Sequence, residues 1–314
     1  MSDPTSSAVL TAAVVGTGHL GRHHVRILSQ MAGVRCVGAF DSDRDRLSAV
    51  TSEHDVPALD HLDRAAGAEL VVVATPTVTH REVAGRLLEA GCHVLVEKPI
   101  AATVAEAEEL VALAASSGRV LAVGHVEFHN PAVQAALALA EHVRYLETQR
   151  LSPFTARSVD VDVILDLMIH DLQIAIAVAG ATPTEIRAVG VPVLTDKVDL
   201  CHAWVEFAGG MVATLTASRV SAERVRKLRV FARDAYFSVD YAEQSVSSAR
   251  LERRGVQPEI APREVTVMRQ EPLVAELQAF VNACRGEPSA LVDGATGARA
   301  LEAAIRVREA VEAR

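Results

Sequence analysis

Cysteine and positive charge are scarce in this chain, and no apolar run is long enough to cross a bilayer. The 314 residues hold four cysteines, Cys36, Cys92, Cys201 and Cys284, far apart and without a CxxC pair. That spacing matches no zinc site, and it reads as four small core residues in a reducing compartment. Twelve histidines are present but no HExxH pattern, and His23 and His24, being adjacent, point apart on a helix. No metal centre is expected. A net charge of −9 argues against nucleic acid or an anionic membrane as the main partner. Small anionic ligands remain compatible with it, because a pocket's charge need not follow the whole molecule's. The polar start, residues 1–7, lacks the basic opening of a signal peptide, so a cytoplasmic protein is expected. Neither an internal repeat nor a low-complexity linker interrupts the chain.

What is there is a soluble globular composition, half hydrophobic and about a quarter charged, of a length that predicts two domains. The most informative stretch lies near the start. An apolar run, Ala12-Ala13-Val14-Val15, leads into Gly16-Thr17-Gly18-His19-Leu20-Gly21, and a helical segment over 22–32 follows. In this G-x-G-x-x-G arrangement Gly16 turns the chain off a strand and Gly18 leaves room for a pyrophosphate. Gly21 lets the next helix sit close to the sheet, with its N–H groups and positive dipole end facing the phosphates. A second β-like run, 34–40, ends in Asp41, twenty residues beyond Gly21, where a carboxylate takes the ribose hydroxyls of NAD. Asp41 would repel a 2′-phosphate, so NAD is favoured over NADP. Arg44 and Arg46 lie just past that strand, where arginines either hold an extra phosphate or stand solvated.

Helices and strands then alternate: helix 43–54, strand 70–74 ended by Thr75-Pro76, helix 79–90, strand 93–97, helix 103–117, strand 120–123. This order predicts an α/β fold beginning with a doubly wound parallel sheet, an NAD-binding Rossmann domain over 1–125. Its strand ends, the usual ligand rim, carry Gly16, Asp41, Thr75-Pro76, Glu97-Lys98 and Gly124-His125. Beyond a helix expected over 130–141, β-rich runs at 143–150, 185–191, 200–207, 211–218, 227–232 and 236–241 predict an open, mostly antiparallel sheet. Gly209-Gly210 reads as a hairpin turn. With an inserted helix at 161–179 and closing helices at 273–285 and 296–313, these form an α+β domain over 126–314.

The inserted helix is apolar almost all round, yet Asp162, Asp166 and His170 recur every four residues and so share one face. Buried carboxylates and imidazoles are costly unless paired or lining a wet pocket. An Asp one turn before a His can accept its ring N–H, fix the tautomer and raise its basicity, which orients a general base. The plainer reading is a helix cap and a satisfied core histidine. In Glu97-Lys98-Pro99 the proline stops the strand at the rim and holds Lys98 extended. A lysine there can stabilise a developing alkoxide.

Taken together, 14–21, Glu97-Lys98-Pro99 and Asp166-x-x-x-His170-Asp171 resemble the glucose–fructose oxidoreductase/inositol dehydrogenase (Gfo/Idh/MocA) family over nearly the whole chain. The resemblance implies catalytic roles for Lys98, Asp166 and His170, and a cofactor site at Gly16, Thr17, Gly18, His19, Leu20, Gly21, Asp41, Arg44, Thr75, Pro76, Glu97 and Lys98. It also implies a homodimer or homotetramer built through the outer face of the C-terminal sheet. Residues 165–171 and Gly124-His125-Val126-Glu127 are similar to the branch that dehydrogenates UDP-N-acetylglucosamine, with His125, Arg150 and Arg157 as substrate contacts. The two arginines either hold a diphosphate or stand solvated. Phe128-His129 departs from the pattern, which more often has Arg-Phe there. The expected activity is NAD-dependent hydride transfer at a secondary alcohol of a sugar, nucleotide sugar or cyclitol. Within the same family an inositol or free-sugar dehydrogenase is the alternative, and a non-catalytic NAD-binding sensor is the rival from another class.

Overall fold

Runs of valine and leucine give strands buried on both faces within the first sheet, which has five strands. The computed structural model describes residues 9–155, 161–252 and 259–313. In chain order its first elements are β1 (Leu10–Val15), α1 (Gly21–Gln30), β2 (Val34–Phe40), α2 (Arg44–His54), β3 (Leu70–Val73), α3 (His80–Glu89), β4 (His93–Glu97), α4 (Val104–Ser117) and β5 (Leu121–Gly124). The strands run parallel in the order β2-β1-β3-β4-β5. Register aligns Val15 with Phe40 and Val73, Val73 with Val96, and Glu97 with Gly124, so all five carboxyl ends reach one rim. Local chemistry fixes the helix ends. The Asp43 side chain accepts the Arg46 N–H at the start of α2, and Thr103 and Glu106 form a reciprocal capping box on α4. Gly118, at φ 64°, stops α4 in the left-handed conformation.

The second sheet has eight strands. A short α5 (Pro131–Leu137) precedes β6 (Val143–Leu151). A π-helical turn, Ile164–Met168, runs into α6 (Ile169–Ala179). Then come β7 (Pro183–Val191), β8 (Leu200–Phe207), β9 (Val212–Ser218), β10 (Val225–Ala232), β11 (Ala235–Asp240), β12 (Ser245–Glu252) and β13 (Glu259–Arg263). Their order is β13-β12-β11-β10-β6-β9-β8-β7, antiparallel throughout except for the parallel β6–β9 pair. The fold class is as the sequence predicts, a parallel Rossmann sheet followed by a mostly antiparallel one. One face of the second sheet is the core: Cys201, Ala203, Val205, Leu215, Leu228 and Val230 bury against Ile164, Met168, Ile169, Leu172 and Ile176.

Two helices close the chain, α7 (Pro272–Cys284) and α8 (Gly294–Glu312). Internal contacts group the described part of Met1–Gly124 with Leu273–Ala298, and His125–Pro272 with Arg299–Arg314. Sequence order alone assigns all of 126–314 to one domain, but α7 and the start of α8 return to the first unit. Gly294 and Gly297 lie so close to Leu121 and Val123 on β5 that a Cβ would come within 2.7 Å and 2.4 Å of their side chains. The cysteines are free, and burial pushes Cys36 up to about 11 and Cys201 and Cys284 up to about 12, so their thiols stay protonated.

Candidate functional site

On the first unit the glycine turn and four strand ends share the rim. Gly16, at φ 91°, abuts the end of β3, where a Cβ would lie 2.5 Å from the Ala74 carbonyl oxygen. Gly21 is packed tighter still, its would-be Cβ 1.8 Å from the Gly16 carbonyl oxygen. Gly18 is the contrast, because nothing stands within 4 Å of the position a Cβ would take. Two glycines therefore serve the fold, and the third borders open space. No side chain caps the N-terminus of α1; the Arg22 and His23 N–H groups turn back onto the Gly18 and Leu20 carbonyls, and the positive end of the helix dipole still favours an anion there. His19 is exposed, and Leu20 is half-buried.

Asp41 is buried at the end of β2. Its carboxylate accepts the Thr17 N–H (2.7 Å), the Thr17 hydroxyl (3.0 Å) and the Asp43 N–H (2.9 Å). Burial pushes its pKa up, but these donors and the nearby Arg46 outweigh that and hold the carboxyl below its usual value. An ionised Asp41 fused to the glycine turn fits the adenosine ribose of NAD and repels a 2′-phosphate. Arg46 pairs with Asp41 and Asp43. Arg44, expected at the cofactor, instead donates to the carbonyls of Leu59 and Asp60.

The ends of β3 and β4 are tied by one buried histidine that the sequence reading passed over. The ring nitrogens of His80 lie 2.8 Å from the Thr75 and Pro99 carbonyl oxygens. Only a doubly protonated ring donates to both, and burial works against that charge, lowering its pKa. Lys98 is half-buried and precedes a cis peptide to Pro99. Glu97 faces the fold, its carboxylate 2.7 Å from Nε2 of the fully buried His24. Glu276 on α7 is also fully buried, and no described residue hydrogen-bonds either carboxyl oxygen. Burial, and then the charge of Glu97, hold its pKa well above the carboxylate range, so it is a neutral acid. Glu276 was readable in principle, as a charged residue on the apolar face formed by Leu273, Leu277 and Phe280.

On the second unit the π-helical turn alters the face predicted from a four-residue repeat. Asp162 accepts the N–H groups of Ile164 and Leu165 and so caps the segment. Asp166 is half-buried, and His170, 9% exposed, is the second residue of α6. Wide π turns of this kind recur at functional sites. His125, in the turn after β5, is buried and meets the His170 ring edge-on, with centroids 5.5 Å apart.

Arg150, expected either on a diphosphate or in solvent, does neither. It is buried, with its fork on Asp171 (Nε to Oδ2 3.1 Å, Nη2 to Oδ1 2.7 Å) and Nη1 on Glu127 Oε1 (2.6 Å). Its substrate role is corrected on that ground, since every arm of the guanidinium is engaged within the chain. Arg157 lies outside the described residues. His129 brings no positive charge to replace the family's arginine, because burial pushes its pKa down to about 4. No group of three or more His, Cys, Asp or Glu able to hold a metal occurs among the described residues. Nor is any described helix long and apolar enough to cross a membrane.

Residues 10–125 match the model of an oxidoreductase family with an NAD-binding Rossmann fold, and 122–238 match a GFO/IDH/MocA C-terminal domain. The chain is 39% identical to UDP-N-acetylglucosamine 3-dehydrogenase of Acidithiobacillus ferrooxidans, over 97% of this chain and 98% of that protein. A solved structure of that enzyme superposes with a TM-score of 0.90 at 38% identity, covering 97% of this chain and 98% of that one. At the level of fold alone, an inositol dehydrogenase homologue from Azotobacter vinelandii, solved with NADH and myo-inositol, matches with a TM-score of 0.82. It is 19% identical, with 98% of this chain and 96% of that one covered.

Proposed function

Because the chain belongs to the Gfo/Idh/MocA family of NAD-binding oxidoreductases, we propose that it transfers hydride between NAD and one secondary hydroxyl of a nucleotide sugar, the C3 hydroxyl of UDP-N-acetylglucosamine first among them. The single observation that carries the substrate is full-length similarity at 39% identity to an enzyme named for that substrate. NAD-dependent dehydrogenation of a CH–OH group is the coarser step, and the nucleotide sugar is the finer one.

In this reading His170 takes the proton from the substrate hydroxyl. Asp166 supports the imidazolium that results, and Lys98 donates a hydrogen bond to the same oxygen as negative charge grows on it. When bound, NAD supplies the acceptor for the hydride leaving the carbinol carbon. The turn from Gly16 to Gly21 holds the pyrophosphate, and Asp41 with the Thr17 backbone holds the adenosine ribose. Thr75, Pro76 and Glu97 line the remaining rim. Glu97 acts from its contact with His24, and Arg44 is left out because its guanidinium is engaged with backbone carbonyls.

A homo-oligomer through the outer face of the eight-stranded sheet belongs to the same proposal. Its support is that Trp204 and Phe231 stand exposed on strands whose other face is core. A cytoplasmic setting is supported by four free cysteines and by the use of NAD.

The test is NADH formation from NAD with panels of UDP-sugars, free sugars and cyclitols, repeated with NADP. Turnover on UDP-N-acetylglucosamine with NAD at least about tenfold above NADP is the expected result, a difference of ~1.4 kcal/mol. Turnover confined to cyclitols or free sugars overturns the nucleotide-sugar assignment. Tight NAD binding with no turnover on any panel returns the sensor reading.

A further inference from the structure

The four charges behind the His125–His170 pair have no part in the reaction as described so far. Arg150 on β6 grips Asp171, the residue after His170 on α6, and Glu127, two residues after His125. Glu127 also accepts from Arg226 on β10 at 2.9 Å. The Arg150 guanidinium stands over the ring of the buried Tyr241, 5.1 Å from its centroid. Two arginines and two carboxylates give zero net charge in a region where the Arg150 and Asp171 side chains are 3% and 2% exposed. Burial opposes the charges of Arg150, Arg226 and Glu127. Even so, Arg150 is held charged well above its usual range by Asp171 and Glu127, and Glu127 is held ionised by Arg150 and Arg226.

We propose that Arg150 is a positioning residue for the dehydrogenase reaction: it clamps the two segments that carry His125 and His170 and keeps the charge behind them balanced. This rests on the reading of His170 as the base. Sequence separation makes the point physical, because Asp171 and Glu127 lie 21 and 23 residues from Arg150, so one guanidinium joins segments that are distant in the chain. A bidentate fork on one carboxylate and a third hydrogen bond to the other leave the guanidinium no freedom to turn. The two histidine rings, in edge-on contact, inherit that fixed geometry.

Several charged or titratable groups face His170 from the elements packed on it. They are Asp171 on its own helix, Asp166 and Asp162 on the π turn and its cap, and His125, Glu127 and His129 on the turn after β5. Arg150 faces it from β6, while β9 contributes no titratable side chain. The balance can therefore be tipped either way by one substitution. Asp171→Asn leaves an uncompensated positive charge, which disfavours the imidazolium and moves the acid limb of kcat/KM for alcohol oxidation to lower pH. Arg150→Gln leaves an uncompensated negative charge and moves the limb to higher pH. About half a pH unit or more is expected in each direction for charges in a poorly solvated site. The double variant restores neutrality, so its limb returns toward the wild-type position while kcat stays low.

The experiment measures kcat/KM against pH for the wild type, both single variants and the double variant, with His170→Ala beside them. Should a single variant fail to fold, Glu127→Gln and Arg226→Gln make the same charge changes at more exposed side chains, 15% and 29% exposed. Opposite shifts that cancel in the double variant support the proposal. Uniform losses of kcat with an unmoved limb mean that the cluster only holds the fold, and the proposal is overturned. Full turnover by His170→Ala overturns the reading of the base itself, which is a separate outcome.

Discussion

His170→Ala is expected to lower kcat by about 10³-fold or more while NAD affinity stays within about twofold. The expectation follows from where the residue sits. His170 belongs to a helix whose neighbouring side chains, Ile169, Leu172 and Ile174, are fully buried, so an imidazole on it carries a desolvation cost that an alanine would not. The sequence keeps it all the same, one nominal turn after Asp166 and in edge-on contact with His125. Removing the base takes away proton transfer in the transition state without touching the glycine turn or Asp41, which belong to the other unit. Lys98→Met should cost about 10²–10³-fold in kcat, the size of losing one donor to a developing oxyanion. Steady-state kinetics with the best substrate, and NAD binding followed by titration, check both. Unchanged turnover in either variant removes that residue from the catalytic set.

The second large effect concerns the glycine turn, where the three glycines should fail in different ways. At Gly18 a side chain enters open space, so Gly18→Val should fold with a melting temperature close to the wild type. Its affinity for NAD should nonetheless fall by about 100-fold or more, ~2.7 kcal/mol, because the branched side chain occupies the space a pyrophosphate approaches through. Gly21→Ala should instead lose the fold of this region, since its Cβ would overlap the Gly16 carbonyl. Thermal melts and NAD titrations separate the two. Wild-type NAD affinity in a folded Gly18→Val variant would show that the cofactor phosphates lie elsewhere.

Much of the first sheet was legible because its physics is local. The limits of β2 and β4 follow from β-rich runs that meet Asp41 and Lys98-Pro99 at the rim. The capping residue Thr103 and the stop at Gly118 were equally plain. In the second sheet, β12 and β13 had no such signature. Ser245–Glu252 bears no buried residue and no apolar alternation, so pairing with β11 rather than pattern makes it a strand. The helix expected over 130–141 stops at Leu137, where the apolar pattern ran on but the backbone did not.

Among the site residues, a 3.6-residue period placed Asp162 on the face of Asp166 and His170. The π turn and the capping of Ile164 and Leu165 removed it from that face. Arg150 was read as a free fork because its two carboxylates are distant in sequence, and only the fold brings them to it. His24 was hidden for the same reason: it lies on α1, and only the fold brings Glu97 to it.

The most direct test of the account uses UDP-N-acetylglucosamine deuterated at C3, incubated with NAD and the wild-type protein, with the nicotinamide product analysed by NMR. Deuterium delivered to C4 of the reduced nicotinamide, in step with formation of a 3-keto nucleotide sugar, is the predicted result. NADH formed without the label, or no NADH while another alcohol turns over, would contradict the proposed substrate and carbon.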